Sequence, residues 1–286
     1  MKFISITLFF VLIVSCGSKR EELEGVKTVY FPGTDIIKQS VEYKNGKKNG
    51  YFREYYRKGN LKARQFYVND TLDDTTQIYY PSGILQTQHM YKNKIKHGCW
   101  QEYNKEGQLY SEMFFKEGML DSTCSKYSYK SVRLLTRVSY IKGAKNGVEE
   151  QYYASGKPKS RQYYVKGQLC RGTEEWYESG KKIDNDFKIH VQESNATMLQ
   201  NTLTYNIRLE NPEPGDKVYK LFEPPKGDVM GTLSPLPKEG DAFVYKQVVP
   251  KGGFVMEQVI IAAYRKTAMG NTVIKTQAFN VATNNF

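Results

Sequence analysis

Residues 50–61 read Gly50-Tyr51-Phe52-Arg53-Glu54-Tyr55-Tyr56-Arg57-Lys58-Gly59-Asn60-Leu61. An aromatic and charged run enters a Lys-Gly turn and leaves it at Leu61, the signature of one β-hairpin. The pattern returns along the chain. Gly59, Gly83, Gly107, Ser131, Gly156 and Gly180 are spaced by 24, 24, 24, 25 and 24 residues, and four residues before them stand Tyr55, Tyr79, Tyr103, Tyr127, Tyr152 and Trp176. A second turn falls at Gly46, Asp70, Lys94, Gly118, Gly143 and Gly167, three residues after Tyr43, Tyr67, Tyr91, Phe115, Tyr140 and Tyr164. Two turns and two aromatic columns per unit predict stacked antiparallel hairpins over residues 28–184, whose units bury their faces only against neighbours.

Side-chain parity chooses the first turn. A two-residue loop Lys58-Gly59 would set Tyr56 against Leu61 and turn the Tyr55 column away from Leu61, Leu85 and Leu109. A three-residue loop ending in Gly59 at positive φ, a type I turn with a bulge, sets Tyr55 against Leu61 and on the same face as Tyr67, which is the expected geometry. The rings are then expected to pile into one continuous column, with Tyr56, Tyr80, Asn104, Ser128, Phe66, Met90 and Phe114 on the other side. The fourth unit, with Ser131 for glycine and an extra residue before Gly143, predicts a local bulge. Some twelve strands at about 4.8 Å make a strip roughly 55 Å long, opened by Val29-Tyr30-Phe31-Pro32-Gly33. One position of offset places Cys99 and Cys124 on opposite faces, against a disulfide.

The unit just quoted, with Lys47-Lys48-Asn49-Gly50 before it and Lys96-His97-Gly98 or Lys145-Asn146-Gly147 in later copies, resembles the bacterial variant of the MORN repeat. The resemblance covers about 155 residues. It implies an elongated sheet that scaffolds or binds, and it carries no catalytic residue; some bacterial members are described as antitoxins, which implies a toxin partner.

Past Lys182 the period stops and proline becomes frequent. Phe187 to Glu193, Asn201 to Glu210, Lys217 to Phe222, Ala242 to Val249, Phe254 to Lys266 and Thr272 to Val281 read as strands. Six or seven strands in residues 186–286 predict an immunoglobulin-like β-sandwich, closed by a hairpin from Tyr264 to Thr272 and lacking the antibody disulfide. The fold class is thus all-β: an elongated sheet of hairpin repeats followed by a sandwich.

The start of the chain has a different character. Met1 and Lys2 precede an apolar run from Phe3 to Val14, too short to span a bilayer core. Ile13-Val14-Ser15-Cys16 then resembles the lipobox of bacterial lipoproteins, which implies a signal peptide over 1–15, diacylglycerol on Cys16 and a tether over 16–27. Acyl chains in pairs give stable anchoring. Gly17 after the cysteine resembles cargo sorted to the outer membrane, and Lys19-Arg20-Glu21-Glu22 resembles a surface-export signal of Bacteroidetes lipoproteins. The expected location is therefore the bacterial outer membrane, on its periplasmic or its outer side.

The 286 residues carry 42 Lys plus Arg against 30 Asp plus Glu, with 40% hydrophobic and 25% charged residues, which excludes wholesale disorder and a multi-span membrane protein. The basic excess sits in the repeats: residues 16–185 hold 30 basic and 20 acidic side chains, residues 186–286 hold 11 and 10. Export argues against nucleic acid as a partner and leaves anionic headgroups or acidic glycans. His89, His97 and His190 lie in different units without metal-ligand spacing, and Cys99, Cys124 and Cys170 form no cluster. Glu54, Glu102 and Glu175 recur in a row read as surface ion pairs. No catalytic residue, metal ligand or cofactor is assigned, and the chain is not expected to be an enzyme.

The leading reading is a membrane-anchored, non-catalytic scaffold in the cell envelope with an unknown protein partner. The rivals are an envelope glycan or anionic-lipid binder that stacks sugars on Tyr56, Tyr80, Tyr153 and Tyr177, and an antitoxin-like protein.

Overall fold

The computed structural model describes residues 23–194, 201–223, 225 and 230–284. Among these residues there is no helix, and the strands form one sheet of sixteen and two of four. The large sheet contains β1 (Gly25–Tyr30), β2 (Ile37–Lys44), β3 (Lys47–Tyr55), β4 (Leu61–Val68), β5 (Thr71–Leu72), β6 (Asp74–Tyr79), β7 (Leu85–Lys92) and β8 (Ile95–Tyr103). It continues through β9 (Leu109–Lys116), β10 (Met119–Leu120), β11 (Ser122–Tyr127), β12 (Leu134–Ile141), β13 (Ala144–Tyr152), β14 (Pro158–Val165), β15 (Gln168–Leu169) and β16 (Glu174–Glu175). Its strands follow chain order and all pairs are antiparallel; the two-residue strands β5, β10 and β15 pair with the last residues of β4, β9 and β14, whose earlier part pairs with β6, β11 and β16. The array opens at Gly25, inside the stretch read as a tether.

The two turn rows have different chemistry. At the Gly59 row, the Tyr56 N–H donates to the Asn60 carbonyl and the Gly59 N–H to the Tyr56 carbonyl, with Gly59 at φ 90°. This is the three-residue loop with a bulge, and Gly83, Gly107, Gly156 and Gly180 repeat it at φ 80–94°. The opposite row consists of two-residue turns with both residues left-handed, from Asn45 (φ 51°) and Gly46 (φ 73°) to Lys166 (φ 48°) and Gly167 (φ 83°), the type I′ hairpin turn that matches strand twist. In the fourth unit the extra residue is taken up between Ser128 and Arg133, and Val132 adopts the left-handed conformation (φ 54°) that glycine holds elsewhere.

One expectation fails here. Tyr55 pairs with Leu61, but Glu54 pairs with Ala63, because Lys62 is the extra residue of the bulge. The inserted residue reverses parity for the rest of β4, so Gly50 faces Tyr67 while Tyr51 faces Phe66. The Tyr55 and Tyr67 columns therefore lie on opposite faces. The rings of the Tyr55 column also do not stack: its members sit two strands apart, and no ring contact among the described residues joins one to the next.

The sandwich comprises β17 (Ile189–Ser194), β18 (Thr202–Leu209), β19 (Lys217–Leu221), β20 (Leu233–Pro235), β21 (Lys238–Glu239), β22 (Ala242–Val248), β23 (Phe254–Lys266) and β24 (Thr272–Asn284). The sheet orders β17-β18-β22-β21 and β20-β19-β23-β24 follow the A-B-E-D and C′-C-F-G arrangement of immunoglobulin folds. Tyr205, Ile207, Phe243 and Tyr245 of one sheet meet Val218, Val259, Ile261 and Val281 of the other. Among the described residues there are eight strands rather than six or seven, because β20 and β21 are too short, and too close to proline, to show an alternating pattern.

Candidate interaction surfaces

Strand register assigns each repeat side chain to one of two faces. The closed face carries Phe52, Gln65, Thr76, His89, Trp100, Met113, Cys124, Val138, Glu149 and Gln162, flanked by the Tyr67 column. Thr76, His89, Val138, Glu149 and Gln162 are buried there. His89 stacks on Trp100 with ring centres 3.5 Å apart, and the Lys96 ammonium lies 4.1 Å from the Trp100 ring. Burial, aided by Lys96, pushes the His89 imidazole down to about 4, so it is neutral at neutral pH. Cys124 belongs to this face and Cys99 to the other, in agreement with the sequence offset. Burial raises both thiols, Cys99 to about 11 with Glu112 contributing, which keeps them un-ionised and unreactive.

The open face carries a ladder of polar side chains, one per strand. Arg64 Nη2 donates to Gln77 Oε1 (2.6 Å), Gln77 Nε2 to Gln88 Oε1 (2.7 Å) and Gln101 Nε2 to Glu112 Oε1 (2.8 Å). Farther along, Arg161 bridges Glu150 (3.3 Å) and Glu174 (3.5 Å). The column of Tyr55, Tyr79, Tyr103, Tyr127, Tyr152 and Trp176 borders this ladder, half-buried throughout. Tyr79, Tyr103 and Tyr152 each donate a phenol hydrogen to the ladder residue two positions earlier, at 2.8, 2.9 and 3.0 Å. At the N-terminal end Glu42 takes the Tyr51 N–H and the Arg53 guanidinium; burial opposes its ionisation, yet these two partners hold its carboxyl below the ordinary value.

The Gly59-type turns form one long edge, and here lie the tyrosines proposed to stack sugars. The hydroxyls of Tyr56, Tyr80 and Tyr153 donate to the carbonyls of Tyr79, Tyr103 and Trp176 in the next unit, at 2.7, 2.9 and 2.8 Å. Asn104 does the same with the Tyr129 carbonyl (2.8 Å). Burial, with Tyr129 close by, pushes the Tyr80 phenol up to about 12, so it remains a donor. These three rings are half-buried staples between units, whereas Tyr177, on the last turn, is 51% exposed.

The opposite edge is built from the two-residue turns. Its last strand pairs are Lys44 with Lys47, Val68 with Thr71, Lys92 with Ile95, Lys116 with Met119, Ile141 with Ala144 and Val165 with Gln168. Val68, Ile95, Met119, Ile141 and Val165 are exposed in a line, interleaved with the exposed Lys44, Lys47, Lys92, Lys94, Lys116, Lys142 and Lys166. Asp70 and Glu117 are the acids within the turns themselves.

The row Glu54, Glu102 and Glu175 divides. Glu54 makes the expected surface pair with Lys62 (2.8 Å). Glu175 does not: it is 1% exposed and takes hydrogen bonds from Asn185 Nδ2 (2.7 Å), Thr267 Oγ1 (2.7 Å) and Asn271 Nδ2 (2.6 Å). Thr267 and Asn271 belong to the turn between β23 and β24, so this carboxyl latches the sandwich to the last repeat. Thr173 Oγ1 donates to the Thr272 carbonyl (2.7 Å), Lys275 pairs with Asp186, and Leu169 packs against a cluster of Leu221, Met230, Ala262 and Ile274. A cleft of about 630 Å³ lies beside the latch, lined by Arg171, Thr173, Lys182, Asp184, Asp186 and Lys275.

His97 lies near a turn and His190 on β17, apart from His89 and from one another. No group of three His, Cys, Asp or Glu among the described residues could hold a metal. Cys16 lies outside the described residues. Sequence reasoning missed a further positive-φ position in each unit outside the two turns, at Gly50, Asp74, Gly98, Ser122, Gly147 and Gly172. The signal was present as small or turn-forming residues recurring at the 24-residue period.

In comparisons with known proteins, the MORN repeat variant family matches residues 48–69, 75–93, 96–117 and 145–166. Three of these segments begin one residue inside the nine-residue strands β3, β8 and β13, and the fourth covers most of β6 and β7; the unit around β10, β11 and β12 is not matched. No curated protein matches the chain. Repeats of this kind indicate a protein-binding or membrane-binding repeat protein.

Proposed function

We propose that the chain is a membrane-anchored, non-catalytic interaction scaffold of the bacterial cell envelope. Acyl chains on Cys16 hold it to the membrane, its lysine-rich turn edge rests on anionic headgroups, and its open face and sandwich are presented to partners. The observation that carries this reading is the line of Val68, Ile95, Met119, Ile141 and Val165 among seven lysines. Apolar side chains that enter the headgroup boundary, flanked by cations, are the chemistry of interfacial attachment, with about 1 kcal/mol for each lysine near an anionic surface. The Glu175 latch supports the reading too, since it joins strip and sandwich into one display.

The test is vesicle flotation of the purified full chain with Cys16→Ser, which removes the acyl contribution. Phosphatidylcholine vesicles with added phosphatidylglycerol should carry the protein upward, and phosphatidylcholine alone should not. Charge reversal at Lys92, Lys94 and Lys116 should abolish flotation; if it floats unchanged, the edge has no such role. Palmitate labelling dependent on Cys16 tests the anchor separately and, if found, leaves the antitoxin reading without a shared compartment.

A further inference from the structure

The open face has a gap at its centre. The ladder runs from Arg64 through Gln77 to Gln88, starts again at Gln101 and continues to Glu112. Gln88 and Gln101 are direct cross-strand neighbours, yet among the described residues no hydrogen bond joins their side chains. Gln88 spends its carbonyl oxygen on Gln77, and its amide N–H groups have no acceptor among the described residues. Tyr79 and Tyr103 stand on either side, their hydroxyls tied to Gln77 and Gln101. All five side chains are half-buried and reachable from solvent.

From this arrangement we propose that the open face binds a linear, neutral, extended polysaccharide laid across the strands and centred on Gln77, Gln88 and Gln101, with Tyr79 and Tyr103 as ring platforms. Spacing is the first argument. Two strands advance about 9.6 Å, so equivalent amides and rings recur at about the advance of one disaccharide in an extended β-1,4-linked glycan. Chemistry is the second. Amides both donate and accept, as sugar hydroxyls do, and aromatic rings with a polar tip suit an apolar sugar face beside its hydroxyls. The central stretch holds no charge, while Arg64 and Glu112 bound it on either side. Strand twist of some 20° per step requires a ligand that can turn at its linkages, which a glycan does.

A polyproline II peptide has a similar advance, about 9.3 Å per turn. It would bring apolar proline rings against a row of amides, so the polar ladder favours the glycan. The site is separate from the turn edge and does not depend on what that edge meets. It also differs from the sugar-stacking tyrosines expected from sequence, whose hydroxyls are used between units.

Isothermal titration of the purified full chain with cellohexaose, N-acetylchitohexaose, maltohexaose and a decaproline peptide decides the matter. At least one of the two extended hexasaccharides should bind, and its disaccharide should bind at least tenfold more weakly. Gln88→Glu keeps the acceptor that Gln77 uses, removes the outward donors and places a charge in the neutral stretch. It should weaken binding at least fivefold without moving the melting temperature, and the uncharged Gln88→Ala, which also gives up the bond from Gln77, should weaken binding at least as much. Failure of both extended hexasaccharides to bind would overturn the proposal, as would equal binding of maltohexaose or decaproline, or binding indifferent to both Gln88 variants.

Discussion

Val132 shows what a single residue of excess length costs. A β-branched side chain at φ 54° is strained by about 1–2 kcal/mol, and Val132 is exposed, so no packing repays the strain. Val132→Gly should therefore stabilise the protein by about 1 kcal/mol in urea denaturation; a loss of stability would mean that Val132 makes contacts its exposure does not reveal. His89 carries a pH dependence of definite sign. Its imidazole titrates near 4 in the fold, against 6.5 when unfolded. Its contribution is complete above pH 6.5, where both states are neutral. Between 6.5 and 4 the unfolded chain takes up a proton that the folded chain refuses, so stability falls with pH, by about 3 kcal/mol in all. Gln65 and Gln162 occupy the equivalent position in other units, so His89→Gln should fold and lose that slope. Urea midpoints at pH 7 and pH 5 measure the difference, and equal slopes in the two proteins would place the proton elsewhere.

Within an element, the staples carry a quantity that can be checked. Tyr56, Tyr80 and Tyr153 each join one hairpin to the next through a single phenol hydrogen bond, worth about 1 kcal/mol net. Each Tyr→Phe change keeps the ring and should cost about that much. Because Tyr56 and Tyr153 lie in distant units, their costs should add; a double variant no less stable than either single one would show that the hydroxyls bond water instead. How legible the hairpin was depends on the same geometry. The period, the positive φ at Gly59 and the pairing of Tyr55 with Leu61 follow from spacing and turn chemistry. The faces did not, because the Lys62 bulge that the turn demands also reverses every parity beyond it, and the reversal has to be counted. Tyr56 looked like a ligand-stacking ring for a related reason: its partner, the Tyr79 carbonyl, is 23 residues away and belongs to the backbone, which sequence reading does not see. The sandwich strands were legible as alternating runs, apart from the two- and three-residue strands beside Pro235 and Pro237.

At the scale of the molecule, Glu175 joins two folds that could otherwise act apart. An open repeat array needs a cap at each end, and the turn from Thr267 to Asn271 supplies one at the end of β16. The position gave no warning of this. Glu175 belongs to the same row as Glu54, and only the arrival of Asn185, Thr267 and Asn271 around it turns a surface carboxylate into a buried one. Glu175→Ala would leave those three donors facing an apolar methyl group, at about 1–3 kcal/mol for each that stays buried and unpaired. Both tryptophans, Trp100 and Trp176, lie in the repeats and none in the sandwich, so the two folds can be followed separately. Tryptophan fluorescence reports the strip, and hydrogen exchange along β23 and β24 reports the sandwich. In the unaltered chain both should be lost in one transition. In Glu175→Ala the tryptophan transition should move several degrees lower and separate from the sandwich, because the strip has lost its cap while the core of Ile207, Val259, Ile261 and Val281 is untouched. Coincident transitions at an unchanged midpoint would mean that the Leu169 contact and the Thr173 hydrogen bond suffice to hold the junction, and that the carboxyl is no latch.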